Sequence, residues 1–162
     1  MRPNRSLSRR GKLPSFLPPT PARSANMRAI RSRGNRATEQ RLRDLLLRNE
    51  IRGWRRRSVK TIGSPDFIFF EEKIAIFVDG CFWHGCPRCG HIPKTNTAYW
   101  KAKIQRNQKR DRSVRHLANL LGYRVIRIWE CSLKVRPQSC MSRIRSALGA
   151  RRLVSTSDSA PA

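Results

Sequence analysis

The sequence predicts a mixed α/β fold, with a central β-sheet of mixed strand direction flanked by helices. Three stretches carry that expectation. Apolar, β-prone runs at Phe67 to Phe70 and Ile74 to Val78 are separated by the polar turn Glu71-Glu72-Lys73, the pattern of a buried hairpin. From Thr97 to Leu121, Trp100, Ile104, Asn107, Asp111, Val114, Ala118 and Leu121 recur every three or four positions and the pattern stops at Gly122, which predicts one long helix. The run Tyr123 to Trp129, YRVIRIW, alternates as a strand of the central sheet does.

The other elements follow in chain order. Residues 1–24 are rich in proline, serine and basic residues and carry no acid; such a composition buries no core and predicts a mobile, phosphate-attracting arm. A single domain is expected over 25–150. Thr38 is positioned to cap a helix running through Glu39, Leu42, Leu45 and Leu46 to about Arg48, its hydroxyl accepting from a first-turn amide. Glu39 shares the inward face of Leu42 and Leu46, at the positive end of that helix, where a carboxylate also serves simply to offset the dipole. Trp54 and the run Arg55-Arg56-Arg57 read either as an edge strand or loop facing phosphates or as a solvated basic patch. Gln138 to Leu148 suits a closing helix, and 151–162 a frayed tail.

Charge narrows the partners. The 162-residue chain holds 36 Lys and Arg against 10 Asp and Glu, a formal net charge of +26. Self-repulsion on that scale is offset by a polyanion, nucleic acid first among them. No run approaches the ~18 apolar residues of a membrane span, and the basic amino-terminal region lacks a signal peptide's apolar stretch. A cytoplasmic, DNA-associated protein is therefore expected. Five cysteines, an odd number without a secretory signal, argue against a disulfide framework. Cys81, Cys86 and Cys89 are spaced C-x4-C-x2-C and Cys131 follows the strand ending at Trp129, three near ligands and one distant, as structural zinc sites are built. Four protein ligands leave no position for a reacting water, so that metal is expected to be structural.

Chemistry of another kind gathers beside the hairpin. Asp66 opens its first strand, while Asp79, Gly80 and His84 follow the second. Asp111 is an acid on a helix face otherwise bound for the interior, where a carboxylate needs a partner. The opposite faces of that helix carry Lys101, Lys103, Arg106, Lys109, Arg110, Arg112 and Arg115, which either cradle backbone phosphates or are hydrated. Phe82 and Trp83 are adjacent aromatics on a tight loop, which cannot easily both turn inward.

A Pro-Asp pair starting one strand of a hairpin, with polar residues ending the next, resembles the restriction-endonuclease-like core. The words NMRAIRSRGNRATEQRLRDLL, GSPDF, FVDGCFWHGCPRC, YWKAKIQRNQKRD and GYRVIRIWEC, in that order over about 24–134, are similar to the very-short-patch-repair (Vsr) mismatch endonuclease family. That resemblance implies an enzyme that nicks double-stranded DNA beside the thymine of a T:G mismatch left by deamination of 5-methylcytosine. It implies Asp66 as the anchor of a catalytic Mg2+, with a main-chain oxygen at Val78, His84 as general base, Asp111 as its support, and Glu39 as an acid near the metal. Asp79 stands where some relatives carry His, and would approach a metal or the leaving group. Phe82, Trp83 and Trp100 would intercalate at the mismatch, with Met27 reaching the base pairs from the amino-terminal side; Met27 is equally suited to plug a core. In the zinc site, Cys86 or Cys89 replaces a family histidine, with His91 as a reserve ligand. The second acid and the Lys of the broader nuclease group are not evident after the second strand. Expected partners are mismatched duplex DNA and other mismatch-repair proteins, with the enzyme itself a monomer. Two rivals remain: a restriction-type endonuclease of other specificity, and a zinc-stabilised DNA-binding protein without catalysis.

Overall fold

A computed structural model describes residues 13–15, 18, 36–56 and 62–157, with the backbone alone at 36–37 and 151–157. Met27, Arg57 and most of the basic arm lie outside the described residues. The described chain opens with a widened helical turn of π type, Arg36–Gln40, leading into α1, Arg41–Arg48. Thr38, expected to cap from outside, lies within this turn and is buried, as is Glu39. Tertiary placement of the two polar side chains against the sheet overrides the local capping preference.

Four strands form one sheet in the order β1 (Trp54–Arg55), β2 (Phe67–Phe69), β3 (Ile74–Asp79), β4 (Arg124–Trp129). The hairpin is present as expected: β2 runs antiparallel to β3 with Phe67 opposite Ile76. Lys73 adopts a positive φ of 50° in the turn, and its carbonyl accepts from Arg124 N at 2.8 Å, which ties the start of β4 to the start of β3. Those two strands are parallel, Ile74 opposite Arg124 and Asp79 opposite Trp129. A parallel pair needs a long crossover. Here it consists of the one-turn helix α2 (Cys81–His84), a loop, and α3 (Thr97–Leu120). Gly122, at φ 77°, lets the chain leave α3, with Tyr123 N donating to Ala118 O. After β4 come α4 (Glu130–Val135) and α5 (Pro137–Ser157), which starts one residue before the expected closing helix and continues through Ser157.

The two-residue period of the strands divides the core into two layers. Phe67, Phe69, Ile74, Ile76, Ile126 and Ile128 face α1 and α5, packing with Leu42, Leu46, Met141 and Ile144. Ile68, Ala75, Phe77 and Val125 face α3 with Ala118 and Val114. Five of the six residues of β3 are buried, as the middle layer of a helix-sheet-helix stack requires. The same alternation places Asp79 and Arg127 on the α3 side, since they continue the register of Ala75, Phe77 and Val125.

Candidate active site and thiol cluster

Asp66 enters the site from the first turn before β2. Its backbone N–H donates to Ile76 O at 2.9 Å, and its Oδ2 accepts from Val78 N at 2.7 Å. The hairpin register therefore fixes the carboxylate beside the end of β3.

His84 is fixed by α3. Gly80 starts α2 in an extended conformation and Gly85 ends it at φ 64°. A Cβ at Gly85 would meet Gln108 Nε2 at 2.7 Å and Ile104 Cγ2 at 2.8 Å, so only glycine lets α2 lie this close to α3. Three residues on one face of α3 then bracket the helix end: Asn107 Nδ2 donates to Trp83 O (2.8 Å), Gln108 Nε2 to His84 O (3.2 Å), and Asp111 Oδ2 lies 2.6 Å from His84 Nδ1. A carboxylate accepts only, so Nδ1 carries the hydrogen, and in the neutral ring Nε2 is the nitrogen left with a lone pair. Burial works against the charge on Asp111, but the hydrogen bond to His84 and the positive charges of Arg127, Arg110 and, when it is protonated, His84 outweigh it, and hold the carboxyl below its ordinary value.

Asp66, Glu39, Val78, Asp79, His84, Asp111 and Trp83 all line one cleft of about 400 Å³. Each carboxylate has a different setting. Glu39 is buried and paired with Arg56 at 2.8 Å. Asp79, at 2 % exposure, is gripped by Arg127 through both oxygens: Nε to Oδ2 at 2.6 Å and Nη2 to Oδ1 at 2.5 Å. Arg127 Nη2 also lies 3.1 Å from Asp111 Oδ2, and its guanidinium stacks over Phe77. Burial alone would lower the basicity of Arg127, yet its bonds to Asp79 and the negative charges of Asp79 and Asp111 raise it further, so it stays charged.

The thiols form a separate cluster beside the cleft. The Sγ atoms of Cys81, Cys86, Cys89 and Cys131 all lie within 4.8 Å of one another, and Cys86 and Cys131 are 3.7 Å apart. A tetrahedral site with bonds of roughly 2.3 Å has edges of about 3.8 Å, so the spacing suits a metal ion. Backbone amides supply part of the negative-charge stabilisation. Cys131 N donates to Cys81 Sγ at 3.3 Å. Burial pushes the Cys86 thiol up, but the N–H groups of Arg88 and Cys89 and its sulfur neighbours pull it down to about 7. The Arg88 side chain reaches Cys131 Sγ and Ser132 Oγ, a positive charge against the thiols. His91 lies against the Phe82 ring and is not part of the four-sulfur group.

Comparison with known proteins decides the family. Residues 19–89 match the family described as DNA mismatch endonuclease Vsr. The chain is 42% identical over 113 residues to the type II nicking enzyme V.NaeI of Lentzea aerocolonigenes, an alignment covering 67% of each protein. It is 40% identical over 116 residues to the DNA mismatch endonuclease Vsr of Escherichia coli, covering 70% of this chain and 72% of that one. The type II nicking enzyme V.NmeAIP of Neisseria meningitidis is 40% identical over 83 residues, 50% of this chain and 59% of the relative. The chain belongs to the Vsr family. It is a DNA endonuclease.

In this Vsr-family chain Glu39, Asp66, Val78, Asp79, His84 and Asp111 line one cleft and the four cysteines form their own group, with three adjustments to what the sequence suggested. Cys81 to His84, expected as loop, form a helical turn, because Gly80 and Gly85 bound it and α3 packs against it. Asp79 is the last residue of β3, not a residue past its end, and is engaged by Arg127. Trp100 is only 6 % exposed and forms the floor beneath Phe82 and Trp83, whose rings meet it edge-on at centroid distances of 5.1 and 6.0 Å. Phe82 and Trp83, each half-buried, meet edge to face at a centroid distance of 5.0 Å above it, so neighbouring aromatics turn the same way after all. The residue that sequence reading missed is Arg127. Its signal was available: in Arg124–Trp129 it shares a face with Val125, and a charge on a core-facing strand position is as telling as Asp111 on its helix stripe.

Proposed function

We propose that this chain is a Mg2+-dependent mismatch endonuclease that nicks one strand of duplex DNA beside the thymine of a T:G pair, on a single restriction-endonuclease-like domain spanning 25–150. The observation that carries the reading is the shared cleft: Asp66 and the His84–Asp111 pair, 45 positions apart in sequence from first to last, line one cavity, with 2.6 Å between imidazole and carboxylate. Lining by oxygen donors, Asp66 and Glu39 foremost, fits a hard divalent ion. Mg2+ held by Asp66 and the Val78 main chain would supply charge neutralisation at the phosphate and the leaving oxygen.

The chain's own groups do the rest. His84 Nε2 takes the proton of the attacking water, and Asp111 keeps the other nitrogen protonated and the ring oriented. The basic faces around the cleft hold the phosphodiester backbone and carry no sequence information. Phe82 and Trp83, supported from below by Trp100, act as the wedge that unstacks the lesion; a mismatched pair unstacks at lower cost than a matched one, so the wedge itself discriminates. The four cysteines hold Zn2+ and pin α2 to the start of α4. The homology to enzymes named type II nicking enzymes favours one-strand cleavage over double-strand restriction.

The test is strand-specific cleavage mapping of a labelled T:G duplex among a panel of mismatched contexts, with Mg2+ and with EDTA. A Mg2+-dependent nick confined to the thymine strand is the expected result. Equal cleavage of matched and mismatched duplex removes the mismatch assignment, and binding without cleavage favours a DNA-binding protein.

A further inference from the structure

Two carboxylates compete for one N–H at His84. Asp111 Oδ2 lies 2.6 Å from Nδ1 and Asp79 Oδ1 lies 3.8 Å from it. An imidazole with one hydrogen on Nδ1 serves one acceptor well, and a ring that turned toward Asp79 would carry Nε2 away from its working position. What decides between them is Arg127. Its Nε and Nη2 occupy both oxygens of Asp79 in a forked pair, the geometry in which guanidinium binds carboxylate most tightly. The strand register makes the pair possible, since Phe77 is opposite Arg127 in adjacent parallel strands and the Phe77 ring lies beneath the guanidinium.

We infer that Arg127 is a positioning residue for His84: by engaging both oxygens of Asp79 it leaves Asp111 as the acceptor for Nδ1–H and so fixes the orientation of the ring, and with it the direction in which Nε2 points. Its second contact, from Nη2 to Asp111 Oδ2 at 3.1 Å, holds the chosen acceptor in place. The bland alternative is an ion pair that merely joins β3 to β4. That role requires a charge opposite Asp79, but not a fork, and gives no reason for the guanidinium to reach both carboxylates. The inference rests on the reading of His84 as the base, yet can be tested apart from it.

The experiment compares the metal-loaded full chain with Arg127→Lys, Arg127→Met and the double variant Asp79→Asn with Arg127→Met. The chemical shift and width of the His84 Nδ1–H resonance report its acceptor, and single-turnover nicking of a mismatched duplex reports the consequence. Arg127→Met is expected to divide the Nδ1–H between Asp111 and Asp79, shifting and broadening its resonance while Nδ1 keeps the hydrogen, and to lower the nicking rate roughly 10- to 100-fold, with duplex binding changed less than threefold, the loss typical of misorienting a base through its support. Lys restores charge without the fork and is expected to recover only part of the rate. Removing the competitor together with its clamp should return the single Nδ1–H resonance of the parent and regain at least tenfold of the rate lost in Arg127→Met. An unchanged Nδ1–H resonance in folded Arg127→Met overturns the inference whatever nicking does. Full recovery by Lys, with rates that follow thermal stability across the set, also overturns it in favour of the ion pair. If His84→Ala nicks normally, the base assignment fails, and the Nδ1–H resonance still decides the role of Arg127.

Discussion

The two clusters at the end of β3 are built from the same short stretch and differ in what closes them. The thiol cluster draws four soft ligands from α2, the loop after it and α4, and four ligands fill a tetrahedral site. The cleft draws hard oxygen ligands and an imidazole from the π-type turn, the turn before β2, β3, α2 and α3, and balances them with Arg127, Arg110 and Arg56 without closing it. One cluster is closed by the chain's own side chains and the other is open to solvent. Cys81 and His84 are three residues apart, so the closed site serves as the foundation of the open one: whatever pins α2 also fixes the imidazole.

The contrast is broken most sharply by removing one ligand from each side. His84→Ala is expected to lower nicking of a mismatched duplex by 10²-fold or more, on the scale of general-base loss, while duplex affinity stays within a few-fold. Gel-based nicking alongside fluorescence anisotropy checks both halves; wild-type nicking by this variant takes His84 out of the mechanism. Cys131→Ser should instead cost the bound metal, about one ion per chain by elemental analysis, and with it a substantial part of the thermal stability, because metal affinity here is folding free energy. Full stability in a metal-free protein would remove the structural role.

Much of this was legible from residue order, for physical reasons that differ by element. The hairpin shows as two apolar runs about a polar turn and the α3 stripe as a period of three to four, and both appear with boundaries within a residue or two. The C-x4-C-x2-C spacing and the distant Cys131 needed no more than ligand counting. What order did not reveal was pairing across the sheet. Nothing in YRVIRIW says which strand lies alongside, and only the parallel register with β3 brings Arg127 to Asp79. The turn holding Thr38 was misjudged because a local capping signal does not report that the sheet draws the side chain inward.

A smaller effect separates wedge from core. Phe82→Ala with Trp83→Ala should reduce the preference for T:G over matched duplex roughly tenfold, about 1–2 kcal/mol as for loss of base stacking, with bulk DNA affinity less affected. Competition binding with matched and mismatched duplexes measures it. Equal losses on both, together with a lower melting temperature, would mean that the pair serves only to cover Trp100.

The smallest expected effect concerns acid. Asp111 titrates in the folded chain below its ordinary value of 3.8, because His84, Arg127 and Arg110 favour the carboxylate more than burial disfavours it. The unfolded chain therefore binds the proton first as pH falls, and stability rises with pH through that interval. The contribution is fully present above the ordinary carboxylate range and is lost as pH drops through the lowered folded value. In Asp111→Asn that slope disappears: the difference in melting temperature between pH 6 and pH 3 should shrink by a few degrees, a change within reach of calorimetry for a domain of this size. The thiol cluster tests the attribution in the same scans, since acid also protonates its ligands. With Cys131→Ser as background the metal is gone, and the slope that Asp111→Asn still removes belongs to the cleft alone.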